Sequence, residues 1–239
     1  MSAVEETVWG EVQGQTITFP MVVPEINAAT LMFTVPSEAA AALLPGGAFE
    51  VAETAPGEAQ LVIALCDYVQ NPWGDYDEIN LGFLARPVGA SDDEVGSFMY
   101  RMPVDQEFTC VAGNEVMGLP KTVQQIEFRY ADETVQVDLE FDGQPALRIT
   151  FPRAPAEGEA GVVASESYAY LHGVPYATTL EMEMGTGLID PADVLIELGE
   201  GPVADELRRL GLPTPPDIAT WGEGLRGVFL LPRPVAPPS

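Results

Sequence analysis

Hydrophobic residues fall in short runs along most of the chain, and clusters of Gly, Pro and Asp separate the runs. The runs are rich in Val, Ile, Phe and Tyr, which favour β-strands. The pattern predicts strands over residues 16–23, 28–35, 60–68, 78–87, 97–103, 122–130, 134–141, 146–151, 161–170, 178–184 and 225–231. The chain is therefore predicted to be mainly β.

Turn and helix signals complete this prediction. Asp142-Gly143 in "VDLEFDGQPALRITF" suits a tight turn between two alternating runs, so a hairpin is expected there. Few helices are expected: one that Ser37 caps, one that Asp105 caps, and one over 202–211, which begins with Pro and ends with Gly. No linker is long enough to separate domains, so residues 1–239 are expected to form a single domain.

The charge of the chain limits its partners. The formal net charge is −27, from 37 acidic and 10 basic residues. Such a surface repels phosphate backbones and anionic lipids, so neither nucleic acid nor a membrane is an expected partner. The start, "MSAVEETVWGEV", has acids where a secretion signal needs basic residues, and no apolar run approaches about 18 residues. A cytoplasmic location is expected.

Sequence signals for metals and cofactors are weak. There is one histidine, His172, and the two cysteines, Cys66 and Cys110, lie far apart in apolar surroundings. We expect both thiols to be free and buried, and we expect no metal site. The G-x-S-x-G and phosphate-binding glycine patterns do not occur, so no cofactor is predicted.

Lys121, in "GNEVMGLPKTV", is the only lysine of the chain. One interpretation is an ordinary lysine at the edge of a strand. The other is a nucleophilic amine that forms a Schiff base with a ketone, which requires the neutral form. At the ordinary pKa of about 10.4, only about one lysine in 2,500 is neutral at pH 7. Burial can lower a lysine pKa by roughly 3–5 units, and Met102 and Leu119 are candidates for the apolar surroundings.

Several segments resemble the acetoacetate decarboxylase family. "DQEFTCVAGNEVMGLPKTV" (105–123) is similar to the segment that carries the Schiff-base lysine of the family, and "GDYDEINL" (74–81) is similar to its Tyr-x-Glu stretch. "LGEGPVADELRRLGLP" (198–213) and "GVFLLPRPV" (227–235) resemble the last helix and the terminal strand. The resemblance implies a cone-like, mostly antiparallel β-barrel with a few peripheral helices, assembled as a homo-oligomer.

The resemblance also implies roles for individual residues. Lys121 would be the nucleophile and Glu78 the acid/base of a lyase that acts on a small keto acid. Arg101 is a candidate for gripping the substrate carboxylate, and Tyr76, Met102 and Leu119 are candidates for lining the pocket. The reaction would be decarboxylation of a β-keto acid, or aldol or dehydration chemistry on a 2-keto acid. One alternative is a member of the same fold that binds a small molecule without turnover, and another is an unrelated β-rich structural or interaction protein in which Lys121 has no chemical role.

Three departures from the family pattern bear on the reaction. Thr122 stands where decarboxylases of the family carry a second lysine, no arginine occurs over residues 25–29, and apolar Val62-Ile63 stands where a second glutamate is expected. These differences weaken the case for acetoacetate decarboxylation in particular, but they do not weaken the case for iminium chemistry. Without a neighbouring cation, burial would have to lower the pKa of Lys121.

The net charge leads to a prediction about assembly. If the chain forms homo-oligomers, copies that each carry −27 repel one another, so association should strengthen as salt screens the charge. Light scattering across a salt series up to about 1 M, where the Debye length falls to about 3 Å, would measure this. A monomer at every ionic strength would contradict the prediction.

Overall fold

Seven strands close into a barrel in the computed structural model, which describes residues 6–235. The strands of the described part are β1 Thr7–Val12, β2 Gln15–Phe19, β3 Met21–Pro36, β4 Phe49–Val51, β5 Glu53–Ala55, β6 Glu58–Gln70, β7 Tyr76–Pro87, β8 Gly96–Val104, β9 Lys121–Val123, β10 Gln125–Tyr130, β11 Thr134–Phe141, β12 Gln144–Pro152, β13 Val162–Leu171, β14 Val174–Glu183, β15 Gly187–Leu188, β16 Leu195–Leu198, β17 Ile218–Phe229 and β18 Arg233–Pro234.

Helices are short and peripheral. The α-helices are α1 Ser37–Ala41, α2 Glu107–Ala112 and α3 Pro202–Arg209. A π-helical turn, Gly113–Met117, continues α2, and Pro191–Asp193 form a 3₁₀ turn. No helix of residues 6–235 has the length and the apolar character that crossing a membrane requires.

The barrel runs in the order β17, β3, β6, β7, β8, β13 and β14, and β14 pairs with β17 to close it. Neighbours are antiparallel except β8 and β13, which are parallel. Strand β9 adds to β8 in parallel, so Lys121 lies beside Met102. A second sheet, in the order β10-β11-β12-β16, packs against the barrel.

Strands β3, β6 and β7 have both faces covered. One face, which includes Leu31 and Phe33 of β3, forms a core with Val137 and Leu139 of the second sheet. The other face looks into the barrel. Strands covered on both sides read as nearly continuous apolar runs, which explains "LVIAL" in β6. Polar residues on the inner face of such strands therefore stand out.

The prediction of a mainly β barrel with few helices is confirmed, and the differences have local causes. The predicted strand 16–23 breaks at Pro20, which has no N–H for a ladder, and β3 runs unbroken from Met21 to Pro36. The cap assignments were wrong. Ser37 lies inside α1 and donates to Glu53, and Gln106 caps α2 by accepting from Thr109 N–H.

The predicted hairpin turn is confirmed, and a second glycine turn precedes Lys121. Asp142 and Gly143, both with positive φ, join β11 to β12 as the hairpin signal predicts. Gly118 has φ +70° and ends the π-helical turn, so the chain reverses before Lys121. A Cβ on Gly118 would lie 2.5 Å from the backbone oxygen of Tyr170 in β13, so glycine is needed there for two reasons.

We expect Gly118→Ala to destabilise the protein more than Gly14→Ala. Gly14 also has positive φ (+80°), but a Cβ on Gly14 would meet no atom within 4 Å, so its substitution costs only the left-handed strain of about 1–2 kcal/mol. The backbone clash at Gly118 should add about 1–3 kcal/mol. Urea denaturation of both variants measures the difference, and equal losses would contradict the close approach to Tyr170.

Candidate active site

The backbone of Lys121 is held by one side chain from the π-helical turn. Oδ1 of Asn114 accepts the Lys121 N–H at 2.9 Å, and Nδ2 donates to the Lys121 carbonyl at 3.1 Å. Gly113 lets the lysine side chain pass, because a Cβ there would lie 2.7 Å from Lys121 Cδ and 2.9 Å from Cε. The G-N pair of "AGNEVMG" thus sets both the position and the path of the lysine.

The amine of Lys121 is buried beside a buried carboxylate. Nζ lies 2.7 Å from Oε2 of Glu78, and the two side chains are only 4% and 2% exposed. Nζ also donates to Oγ1 of Thr109 at 3.3 Å and lies 5.0 Å from the centre of the Tyr76 ring. The structure therefore brings Lys121, Glu78 and Tyr76 together, from β9 and β7.

The electrostatics differ from the sequence-based expectation of a lowered pKa. Burial is the largest single effect and lowers the pKa of Lys121, but the charges and hydrogen bonds of Glu78 and Tyr76 together raise it by more, so the net pKa lies above its ordinary value. The expectation was wrong because it counted the apolar surroundings without a carboxylate at 2.7 Å. The amine of Lys121 is therefore held as an ammonium, and only the neutral amine is a nucleophile.

Glu78 is positioned from the other side by Asn80. Nδ2 of Asn80 donates to Oε1 of Glu78 at 3.0 Å and to Sγ of Cys66 at 3.7 Å. Burial, and then the charge of Glu78, raise the pKa of the Cys66 thiol, so this cysteine stays a neutral thiol. Cys66 and Cys110 are both buried and free, as predicted.

A cavity of about 190 Å³ opens inside the barrel next to Glu78. Met102 and Leu119 line it, as the sequence predicts, whereas Lys121 and Tyr76 are not among the lining residues. Tyr76 stacks on Tyr68, a lining residue, with ring centres 4.4 Å apart. Lys121 reaches the cavity only by way of Glu78. The other lining residues are Ala28, Thr30, Ala64, Cys66, Asn80, Ser97, Met99, Met117, Val163, Ser165, Ser167, Thr178, Leu180, Met182, Glu183, Met184, Gly185, Leu225 and Phe229.

The structure does not bring Arg101 to this cavity. Its guanidinium forms two hydrogen bonds with Glu206 of α3, at 2.6 and 2.7 Å, and lies over the ring of Phe141. Neighbouring residues of a strand face opposite sides, so Met102 faces the cavity and Arg101 faces outwards. The assignment of Arg101 to a substrate carboxylate is corrected for this reason.

Four residues of the site were not singled out from the sequence: Asn80, Thr109, Gly113 and Asn114. Asn80 could have been found, because it lies two residues after Glu78 and so shares its face of the strand. The other three depend on how α2 and the π-helical turn fold back over β9. Within residues 6–235, no group of three or more His, Cys, Asp or Glu side chains could hold a metal ion.

Comparisons with known proteins give a consistent family. The family model for acetoacetate decarboxylase (ADC) matches residues 11–220 of the chain. A comparison with curated proteins finds no match.

Solved structures share the fold. An acetoacetate decarboxylase matches with a TM-score of 0.65 and 13% identity, over 90% of this chain and 89% of that one. The acetoacetate decarboxylase from Legionella pneumophila matches with a TM-score of 0.63 and 15% identity, over 91% and 87%. The enduracididine biosynthesis enzyme MppR, complexed with pyruvate, matches with a TM-score of 0.58 and 13% identity, over 99% and 100%.

We expect Lys121→Met to destabilise the protein by about 3–5 kcal/mol near neutral pH, because it leaves Glu78 buried without a partner. Adding Glu78→Gln should recover most of this loss. In the parent protein, the stability that comes from the raised pKa of Lys121 is present at neutral pH and is lost as the pH rises through that pKa.

Urea denaturation across pH measures these values. Arg153→Met is the matched control, because Arg153 and Glu223 form an ion pair that is 37% and 36% exposed. Its loss should stay within about 1 kcal/mol. If Lys121→Met lowers the free energy of unfolding by as little as the control does, Glu78 does not depend on Lys121 as a buried partner.

Proposed function

The chain belongs to the acetoacetate decarboxylase family, and on this premise we propose that it is a lyase that forms a Schiff base between Lys121 and a small carbonyl substrate. The observation that carries the proposal is the buried amine 2.7 Å from a buried carboxylate, at the wall of a cavity. An amine so placed can attack a carbonyl once its proton has moved to the carboxylate.

Glu78 is proposed as the acid and base of the reaction. Transfer of a proton from the Lys121 ammonium to Glu78 replaces two buried charges with two neutral groups, which a dry site favours over separated ions. The neutral amine adds to the substrate carbonyl, and the protonated Glu78 then supplies the proton with which the hydroxyl of the carbinolamine leaves as water. The resulting iminium pairs with the Glu78 carboxylate as the ammonium did.

The iminium then acts as an electron sink for bond cleavage. It can accept the electron pair left by loss of CO₂ from a β-keto acid, or by cleavage or dehydration in aldol chemistry. The pyruvate complex of MppR supports a small carbonyl compound as the ligand of this fold. A second cation that could hold a substrate carboxylate is not found beside Lys121 in the described residues, because Thr122 is uncharged and Arg101 faces outwards to Glu206.

A second candidate is a binding protein that keeps the cavity and turns nothing over. Two features of the ion pair of Lys121 and Glu78 favour this candidate. The pKa of Lys121 is raised, and its amine is not among the groups that line the cavity. In such a protein, a ligand would occupy the cavity while Lys121 and Glu78 stayed paired.

We expect borohydride in the presence of small ketones or keto acids to trap a single adduct, on Lys121. Since the chain has one lysine, only the N-terminal amine competes, and peptide mapping separates the two. Lys121→Arg keeps the cation beside Glu78 but removes the nucleophile, so it should abolish both the adduct and turnover.

The same experiment distinguishes the two candidates. If the parent protein binds a carbonyl compound and yields no adduct at Lys121, the binding protein replaces the enzyme. If Lys121→Arg turns over substrate as the parent does, the assignment of Lys121 is wrong.

A further inference from the structure

We infer that the cavity takes an uncharged ketone or aldehyde rather than a keto acid. The inference rests on the proposed function of Lys121 and names its substrate class. It follows from where the charges of the chain lie.

The arginines of the chain lie away from the cavity. All nine lie within the described residues 6–235, and none of them lines the cavity. Seven are in ion pairs with acidic side chains outside it: Arg86, Arg101, Arg129, Arg148, Arg153, Arg208 and Arg233. Arg209 and Arg226 are exposed. Within the described part of the chain, no lysine or arginine lines the cavity, and Lys121, which pairs with the lining residue Glu78, must itself become the imine.

The charged groups that line the cavity are acidic. Glu78 balances the charge of Lys121, and the iminium that replaces the ammonium keeps the same single positive charge. Glu183 is a second carboxylate of the lining, and its Oε2 accepts the backbone N–H of Arg226 at 2.8 Å. A substrate carboxylate would be a further buried anion without a cation of its own, which costs several kcal/mol.

The rest of the lining suits an uncharged molecule. Ser167 of β13 lies beside Ser97 of β8 and opposite Thr178 of β14, so three hydroxyls stand side by side on one wall. Hydroxyls of this kind can hydrogen-bond a neutral hydroxyl or carbonyl group. Much of the remaining wall is methionine, leucine and phenylalanine, which suits an aliphatic chain.

The volume limits the size of the substrate. An apolar cavity of about 150 Å³ holds benzene, so one of about 190 Å³ holds roughly six to eight non-hydrogen atoms. A hydroxyketone of five or six carbon atoms fits this limit.

An uncharged substrate excludes decarboxylation, because loss of CO₂ requires a carboxylate, and it leaves aldol chemistry, of which cleavage is one case. The amine of Lys121 and the ketone of a β-hydroxy ketone form the iminium and release water. Glu78 takes the hydroxyl proton, the Cα–Cβ bond breaks, and its electron pair moves into the iminium to give an enamine and a free aldehyde. Glu78 returns the proton to Cα, and water hydrolyses the new iminium to a ketone and the amine.

Two ketones of similar size and carbonyl reactivity test the inference: 5-hydroxypentan-2-one, which is neutral, and levulinate, which carries a carboxylate. Each is trapped on the parent protein with cyanoborohydride, and each rate is divided by the rate for free Nα-acetyl-lysine. Salt at about 1 M, where the Debye length is about 3 Å, removes repulsion by the acidic surface, so any remaining preference belongs to the cavity. We expect the neutral ketone to react about tenfold faster or more.

Two variants assign the preference to the cavity. Glu183→Gln removes the second carboxylate of the lining and keeps an acceptor for the Arg226 N–H, so it should raise the rate for levulinate relative to that for the hydroxyketone. Glu181→Gln removes the same charge from an exposed position of β14 outside the lining, and it should leave the ratio unchanged.

The outcomes separate this inference from the proposed function. If levulinate is trapped on Lys121 as fast as the hydroxyketone or faster, the inference is overturned while the Schiff-base function stands. If neither ketone is trapped on Lys121, with the Lys121→Arg protein as the baseline, the proposed function fails and the inference fails with it.

Discussion

The ion pair of Lys121 and Glu78 is the interaction on which the rest of the site depends. Two opposite charges removed from water are stable only if they stay together and keep their other hydrogen bonds. The surroundings meet this demand. Asn114 holds the backbone of the lysine, Asn80 holds the second oxygen of the glutamate, and Thr109 accepts from the amine. In the proposed reaction, the amine becomes a nucleophile only after a proton transfer inside the pair.

The barrel can support such a site because its stability comes from elsewhere. The outward faces of β3, β6 and β7 pack against the second sheet and form the larger core. The inward faces are thus free to carry Glu78, Asn80 and a cavity, which a core of close-packed side chains could not contain without a cost in stability. One set of strands supplies the fold on one face and the chemistry on the other.

The surface of the protein and the interior of the barrel differ in their charged groups. The chain carries −27, and most of its arginines are in ion pairs on the outside. Inside the barrel, a single lysine faces one glutamate, with a second glutamate in the lining of the cavity. A buried cation that already has a partner has little attraction left for another anion. On the proposed function, the pair that supplies the amine would therefore also disfavour an anionic substrate.

Short runs rich in Val, Ile, Phe and Tyr between turn residues determined the strands, and with them the mainly β class, because these residues fit a pleated sheet whatever their partners. Local chemistry determined the Asp142-Gly143 hairpin and singled out Lys121. The tertiary structure alone decided that Glu78 lies 2.7 Å from Lys121, that Gly113 makes room for the lysine, and that Arg101 faces Glu206. Distances between strands far apart in sequence follow from how the barrel closes, and a pKa depends on those distances rather than on neighbours in the chain.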